Sequence, residues 1–270
     1  AAKRLSKKKG IKFGILTFNP LPVMFFNKKV KNYKLTSQAQ KMNLLKRYGV
    51  DFTVNIKFNK KFSKLSAKNF INNIIYKKIN PRFIFVSNNF KFGNKRKGNV
   101  NLLKKLSKNY NYKILKINPY ILNKKLVSSS RIRKCLQMGN INLANKMLTR
   151  NWSVKGKVIK GKKLGRKLGY RTCNIRIKNY ILPKSGIYAV RVLVGKKFFL
   201  FKGVAYLGSR PTFKGKKIFL EIYIFGLKKN LYKKELKTYF LKFIRGDRKF
   251  NSSAALIKQM NKDVISAKKV

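Results

Sequence analysis

The hydrophobic pattern of this 270-residue chain changes character at Trp152. Ahead of it, strand-like and helix-like segments alternate. Behind it, strands follow one another with only turn residues between them. Ile11–Phe18, Phe52–Phe58, Phe83–Ser87 and Tyr112–Ile117 read as strands, being short, apolar and rich in β-branched and aromatic residues. Thr36 caps a helix over Ser37–Tyr48 that stops at Gly49, Ser66 caps one over Ala67–Lys78, and Val100–Asn109 forms a third. Ser128 to Ser130 open a helix ending at Gly139, and Ile141–Leu148 makes another. Such alternation predicts an open parallel α/β sheet, because a parallel crossover consumes a helix's length of chain. After Trp152, strands are expected over Trp152–Ile159, Ile187–Val194, Lys197–Tyr206, Lys217–Phe225 and Lys234–Phe243, separated by Gly, Pro and Asn turns. One helix, Ser252 to Ala267, closes the chain. Mostly antiparallel strands joined this way suggest a small barrel. The boundary falls near Thr149–Trp152, giving domains over residues 1–149 and 150–270.

Both halves can bury a core, since hydrophobic residues make up 44% of the chain. That matters because the formal net charge is +64, from 69 Lys+Arg against only Asp51, Glu221, Glu235, Asp247 and Asp263. Self-repulsion on this scale costs stability at low salt and favours non-specific binding of polyanions. With no histidine and two cysteines, Cys135 and Cys173, the chain excludes Cys/His zinc sites, Ser-His-Asp triads and histidine acid-base catalysis. Two isolated thiols point to a reducing, cytoplasmic setting. No apolar run approaches a membrane span, and the basic N-terminus lacks a signal-peptide core. The chain opens Ala-Ala in a helix-like stretch closed by Gly10, and is expected to continue a longer one.

Chemistry concentrates in Gly161-Lys-Lys163-Leu-Gly165-Arg166-Lys-Leu-Gly169-Tyr-Arg-Thr172-Cys-Asn174. Glycine lets a backbone approach a ligand closely, and Lys163 and Arg166 bring cations to a phosphate. Thr172 and Asn174 alternate along an extended chain and share a face. Two neutral hard oxygens on one face suit Mg²⁺, which shares the rest of its shell with phosphate and water. The same pair could be turn residues, and the glycines could serve hairpins. Glu221 stands alone in the apolar run Ile218–Phe225, and with acids so scarce it is expected to be a base in a cleft rather than a solvent-facing strand residue. Ser128, Ser129, Ser130, Arg131 and Arg133 sit at a helix start. One serine suffices for a cap, so three hydroxyls and two arginines point to an anion site.

These blocks resemble the bacterial bifunctional riboflavin kinase/FAD synthetase family over nearly the full chain. The kinase half carries Gly165–Ile175, Gly186–Val192, Gly203–Phe213, Leu220–Phe225, Leu231–Glu235 and Phe240–Arg245, and the family's Pro-Thr-Ala-Asn appears as Arg171-Thr172-Cys173-Asn174. The other half matches through Thr17–Pro22, Asn88–Gly93 and Ser128–Arg133. There the expected histidine between Pro20 and Pro22 is Leu21, and the acidic pair before Phe90 is Asn88-Asn89. The resemblance places the family's first motif, a Gly-rich turn with two histidines, as an expectation ahead of residue 1. The resemblance implies a nucleotidyltransferase-like Rossmann domain, incomplete at its N-terminus, followed by an antiparallel β-barrel with a C-terminal helix. It implies ATP and Mg²⁺ at Gly161, Lys163, Gly165, Arg166 and Gly169, with Thr172 and Asn174 on metal and phosphates. Glu221 becomes the base that takes the proton of the riboflavin 5′-hydroxyl. Phosphorylation of riboflavin to FMN is the activity expected of this chain, and adenylylation of FMN to FAD that of the full-length family member. The competing reading is a basic nucleic-acid-binding protein without catalysis, against which charge spread over every element argues.

Overall fold

The computed structural model describes residues 1–161, 165, 168–195, 199–212, 215–227 and 229–270. It divides into two compact units, residues 1–31 with 39–126, and residues 32–38 with 127–270. Up to residue 126 the chain runs α1 (Ala2–Lys8), β1 (Gly14–Asn19), α2 (Pro22–Phe26), α3 (Gln38–Arg47), β2 (Phe52–Lys57), α4 (Lys60–Ser63), α5 (Ala67–Phe70), β3 (Phe83–Val86), β4 (Lys91–Phe92), β5 (Gly98–Asn99), α6 (Val100–Ser107), β6 (Lys113–Lys116), β7 (Ile121–Leu122) and β8 (Lys125–Leu126).

The predicted parallel pairing is present as two ladders, β1 with β2 and β3 with β6, rather than one continuous sheet among the described residues. Ser66 caps α5 as expected, its Oγ accepting from the Asn69 amide at 3.1 Å, and the helix then widens into a π-helix over Ile71–Ile79. Phe70, Ile71, Ile75, Val86, Phe92, Val100 and Leu103 fill the core between these elements.

In the second unit α7 (Ser129–Gln137) and α8 (Ile141–Leu148) precede β9 (Ser153–Ile159), β10 (Thr172–Arg176), β11 (Gly186–Val194), β12 (Leu200–Thr212), β13 (Gly215–Ile224), β14 (Glu235–Arg245) and α9 (Ser253–Lys268). The six strands close into a barrel in the order β10-β13-β12-β11-β14-β9. Five were expected as strands. The sixth, β10, is a five-residue stave inside the Thr172/Asn174 motif, and it closes the ring by pairing with both β13 and β9. Closure leaves the barrel without an exposed edge.

Period-two alternation sends Val154, Val158, Ile175, Val190, Val192, Leu207, Leu220, Ile222, Leu236 and Phe240 into the interior. Trp152, fully buried, locks the helices to the barrel. Its indole packs on Phe240 at 4.9 Å between centroids, and its Nε1 donates to the Leu35 carbonyl at 2.8 Å. Asn145 of α8 bridges the same corner, accepting from the Trp152 amide at 2.7 Å and donating to the Phe240 carbonyl at 2.9 Å.

One interior polar atom stands out. Thr238 is fully buried, and its hydroxyl has no hydrogen-bond partner among the described residues. Valine has nearly the same shape without the hydroxyl, so Thr238→Val should stabilise the fold by about 1–2 kcal/mol. Calorimetry should show a melting temperature higher by a few degrees. A lower value would mean that the hydroxyl is satisfied after all.

Candidate active site

Strand β10 runs antiparallel to β13 with Asn174 opposite Glu221 and Thr172 opposite Tyr223. Directly opposed residues share a face. Thr172, Asn174 and Glu221 therefore lie together on the outward side of the barrel wall, while their neighbours Ile175, Leu220 and Ile222 fill the inside. The Thr172 hydroxyl donates to Glu221 Oε1 at 2.7 Å. With its proton committed to the carboxylate, Thr172 Oγ1 keeps its lone pairs for a cation or a donor. Asn174 is buried at 7% exposure, so its carboxamide is oriented rather than solvated.

Gly161 lies against Asn174, and Gly165 against Thr172. A Cβ on Gly161 would fall 2.3 Å from Asn174 Nδ2, and one on Gly165 would fall 2.9 Å from Thr172 Oγ1 and 2.8 Å from the Tyr170 carbonyl. Any side chain at either position would displace the two groups beneath. The Gly165 carbonyl accepts from Tyr170 N at 2.8 Å and from Leu168 N at 3.1 Å. Gly169, next to Tyr170, has φ +82°. Lys163 and Arg166 lie outside the described residues.

Hydroxyl, carboxamide and carboxylate are all hard oxygen donors, which fits Mg²⁺ and fits a soft metal poorly. Among the described residues no group of three His, Cys, Asp or Glu gathers to bind a metal by itself. A cation here would thus complete its shell with phosphate and water. Cys173, between the two donors, shares a face with Ile222. Burial pushes its thiol up to about 12, with the Glu221 carboxylate adding to the effect, so it stays protonated at neutral pH and supplies no nucleophile.

The second cluster is placed differently. Ser128 caps α7, its Oγ accepting from the Arg131 amide at 3.2 Å, while Ser129 and Ser130 are exposed. Arg133 is engaged within its own unit. Its Nε donates to the Tyr33 carbonyl at 2.9 Å, its guanidinium stacks 3.6 Å over the Tyr33 ring, and burial lowers its pKa.

Sequence reasoning missed Tyr170 and Asn261, whose side chains hydrogen-bond beside the site. It also missed the joining of residues 32–38 to the barrel unit. Neither has a local signal, since both contacts span more than ninety residues.

The riboflavin kinase family matches residues 148–270 and the FAD synthetase family matches residues 1–131. Fold and site thus define a transferase, with a flavokinase-type barrel after an FAD-synthetase-type α/β unit. A bifunctional riboflavin kinase/FMN adenylyltransferase of Buchnera aphidicola subsp. Schizaphis graminum is 38% identical, covering 98% of this chain and 86% of its own length. Its counterpart in Escherichia coli strain K12 is 30% identical, covering 97% and 83%. A crystal structure described as a macrolide-efflux protein from Streptococcus pneumoniae is 26% identical with a TM-score of 0.84, covering 97% of this chain and 85% of that one. No helix among the described residues is long and apolar enough to cross a membrane. The chain belongs to the bifunctional riboflavin kinase/FMN adenylyltransferase family.

Proposed function

We propose that this chain transfers the γ-phosphoryl group of ATP to the 5′-hydroxyl of riboflavin, giving FMN and ADP, within a kinase domain over residues 150–270. One observation carries the reading: the Glu221 carboxylate is held 2.7 Å from the Thr172 hydroxyl and directly opposite Asn174, with Gly161 and Gly165 pressed so closely on Asn174 and Thr172 that neither position admits a side chain. Glu221 accepts the proton of the attacking alcohol, a contribution of about 10²–10⁴-fold. Thr172 Oγ1 and Asn174 Oδ1 would hold Mg²⁺, which when bound neutralises phosphate charge. Backbone amides of the glycine segment, with Lys163 and Arg166, bind and orient the phosphates, so that most of the catalysis is positioning.

The FAD synthetase match supports a second step, adenylylation of FMN to FAD with release of pyrophosphate, in a domain over residues 1–149. There Ser128, Ser129, Ser130, Arg131 and Arg133 would contact phosphate. Leu21, Asn88 and Asn89 offer no charge to the transferred group.

Incubation with riboflavin, ATP and Mg²⁺, followed by chromatography, tests both steps. FMN should accumulate, and its absence sinks the kinase reading. FAD among the products assigns the adenylyltransferase to this chain, whereas FMN alone leaves only the kinase. The two cysteines are free thiols, consistent with work in the reducing cytoplasm. A net charge of +64 supports non-specific polyanion binding alongside catalysis, with a steep salt dependence that turnover would not share.

A further inference from the structure

Glu221 has a neighbour on each side of its strand. Asn174 faces it across the β10–β13 ladder, and Tyr206 faces it across the β12–β13 ladder. Ala205 and Leu207 are buried in the barrel interior, so Tyr206 stands outward with the carboxylate. The phenol is half-buried and leans along its own strand onto Gly208, which opposes Phe219. A Cβ on Gly208 would meet the hydroxyl, Cζ and Cε1 of Tyr206 as its three nearest atoms, none of them backbone. Any side chain at 208 would therefore push the ring away while the strand stayed in place. Glycine at that position lets aromatic surface lie beside the base.

The two flanks of Glu221 differ in chemistry. On β10 stand the oxygen donors Thr172 and Asn174, and the Thr172 hydroxyl donates to the carboxylate from that side at 2.7 Å. Cation and phosphate belong there. The acceptor brings its alcohol to the same carboxylate without displacing them, so its body extends over the opposite flank, β12. We propose that Tyr206 is the platform on which the planar heteroaromatic ring of the acceptor stacks while its hydroxyl-bearing chain reaches Glu221. The proposal rests on the kinase reading above and deepens it, assigning recognition of the acceptor's ring to one residue. Stacking needs a flat ring and tolerates its substituents. Tyr206 thus selects flat aromatic alcohols over open-chain polyols.

Tyr206→Leu removes the ring, and Gly208→Ala displaces it without touching base or oxygen donors. Each should raise KM for riboflavin about five- to 150-fold, the span of aromatic stacking on a base. KM for ATP and kcat should stay within about twofold, because a contact made equally in the bound and transition states alters KM alone. Tyr206→Phe retains the ring and should recover the KM that Tyr206→Leu loses. The double variant should be no worse than Tyr206→Leu, since Gly208 acts only through the ring. Lumichrome, the flat ring of riboflavin without its ribityl chain, is the direct probe. Titrated with Mg²⁺ and a non-hydrolysable ATP analogue present, it should lose affinity in Tyr206→Leu by the same factor as riboflavin, and ribitol should bind both chains alike. Parental riboflavin KM and lumichrome affinity in Tyr206→Leu would overturn the proposal. So would an equal loss in Tyr206→Phe, which would assign the effect to the hydroxyl, or a loss confined to kcat. Failure of the unmodified chain to make FMN would instead defeat the kinase reading, and the lumichrome titration would still test the platform.

Discussion

Glu221→Gln lowers the rate of FMN formation by about 10²–10⁴-fold while leaving ATP binding nearly intact. The substitution is close to isosteric, and its side-chain oxygen still accepts from the Thr172 hydroxyl that now donates to Glu221 at 2.7 Å. The carboxamide keeps the geometry of the cluster and loses the ability to take a proton from the attacking alcohol. No histidine is available to replace it, and the remaining acids are Asp51, Glu235, Asp247 and Asp263. Glu235 and Asp263 are in ion pairs, with Lys155 at 2.6 Å and with Arg245 at 2.7 Å. Asp51 accepts from the Phe13 amide at 2.6 Å. The measurement is kcat under saturating ATP and riboflavin, together with the dissociation constant of an ATP analogue. Parental kcat would remove Glu221 from the reaction. A large loss of nucleotide affinity at unchanged kcat would make it a binding group instead.

How much of this was legible depends on the range of the signal. Helix starts are local and were readable: Ser66, Ser128 and Ser252 each cap the helix expected after them, accepting from the amides of Asn69, Arg131 and Ala255. The halves of the site were readable separately. Thr172 and Asn174 alternate in one strand, and Glu221 is an isolated carboxylate in an apolar run. Their meeting was not readable from pattern alone, because it depends on the register of β10 against β13 across 49 residues. Strand β12 shows the other kind of miss. Expected to end at Tyr206, it runs on to Thr212, paired with β13 as far as Thr212 opposite Gly215. Gly208 and Pro211 read as breakers in one dimension. In the fold Gly208 lies where a Cβ would strike the Tyr206 hydroxyl, so the glycine serves packing within a continuing strand.

Asp263→Ala should destabilise the barrel unit by about 3–5 kcal/mol. The carboxylate takes Arg245 in a forked contact, Nε to Oδ1 at 2.9 Å and a terminal nitrogen to Oδ2 at 2.7 Å, and Gln259 Nε2 adds a third bond at 2.9 Å. Side-chain exposure is only 14% for Arg245 and 4% for Asp263. Removing the acid leaves a buried guanidinium uncompensated in a chain of net charge +64, where no nearby surplus of carboxylates can take over. The pair Lys155–Glu235 provides the contrast. It is just as short at 2.6 Å but 36% and 48% exposed, so Glu235→Gln should cost less than about 1 kcal/mol. Denaturant titration of the two variants separates burial from mere ion pairing: the midpoint falls steeply for Asp263→Ala and barely for Glu235→Gln. Equal midpoints would mean that the α9 contact is solvated. Added salt should recover part of the general repulsion in both variants, yet leave the gap between them, because a buried unpaired charge is poorly screened.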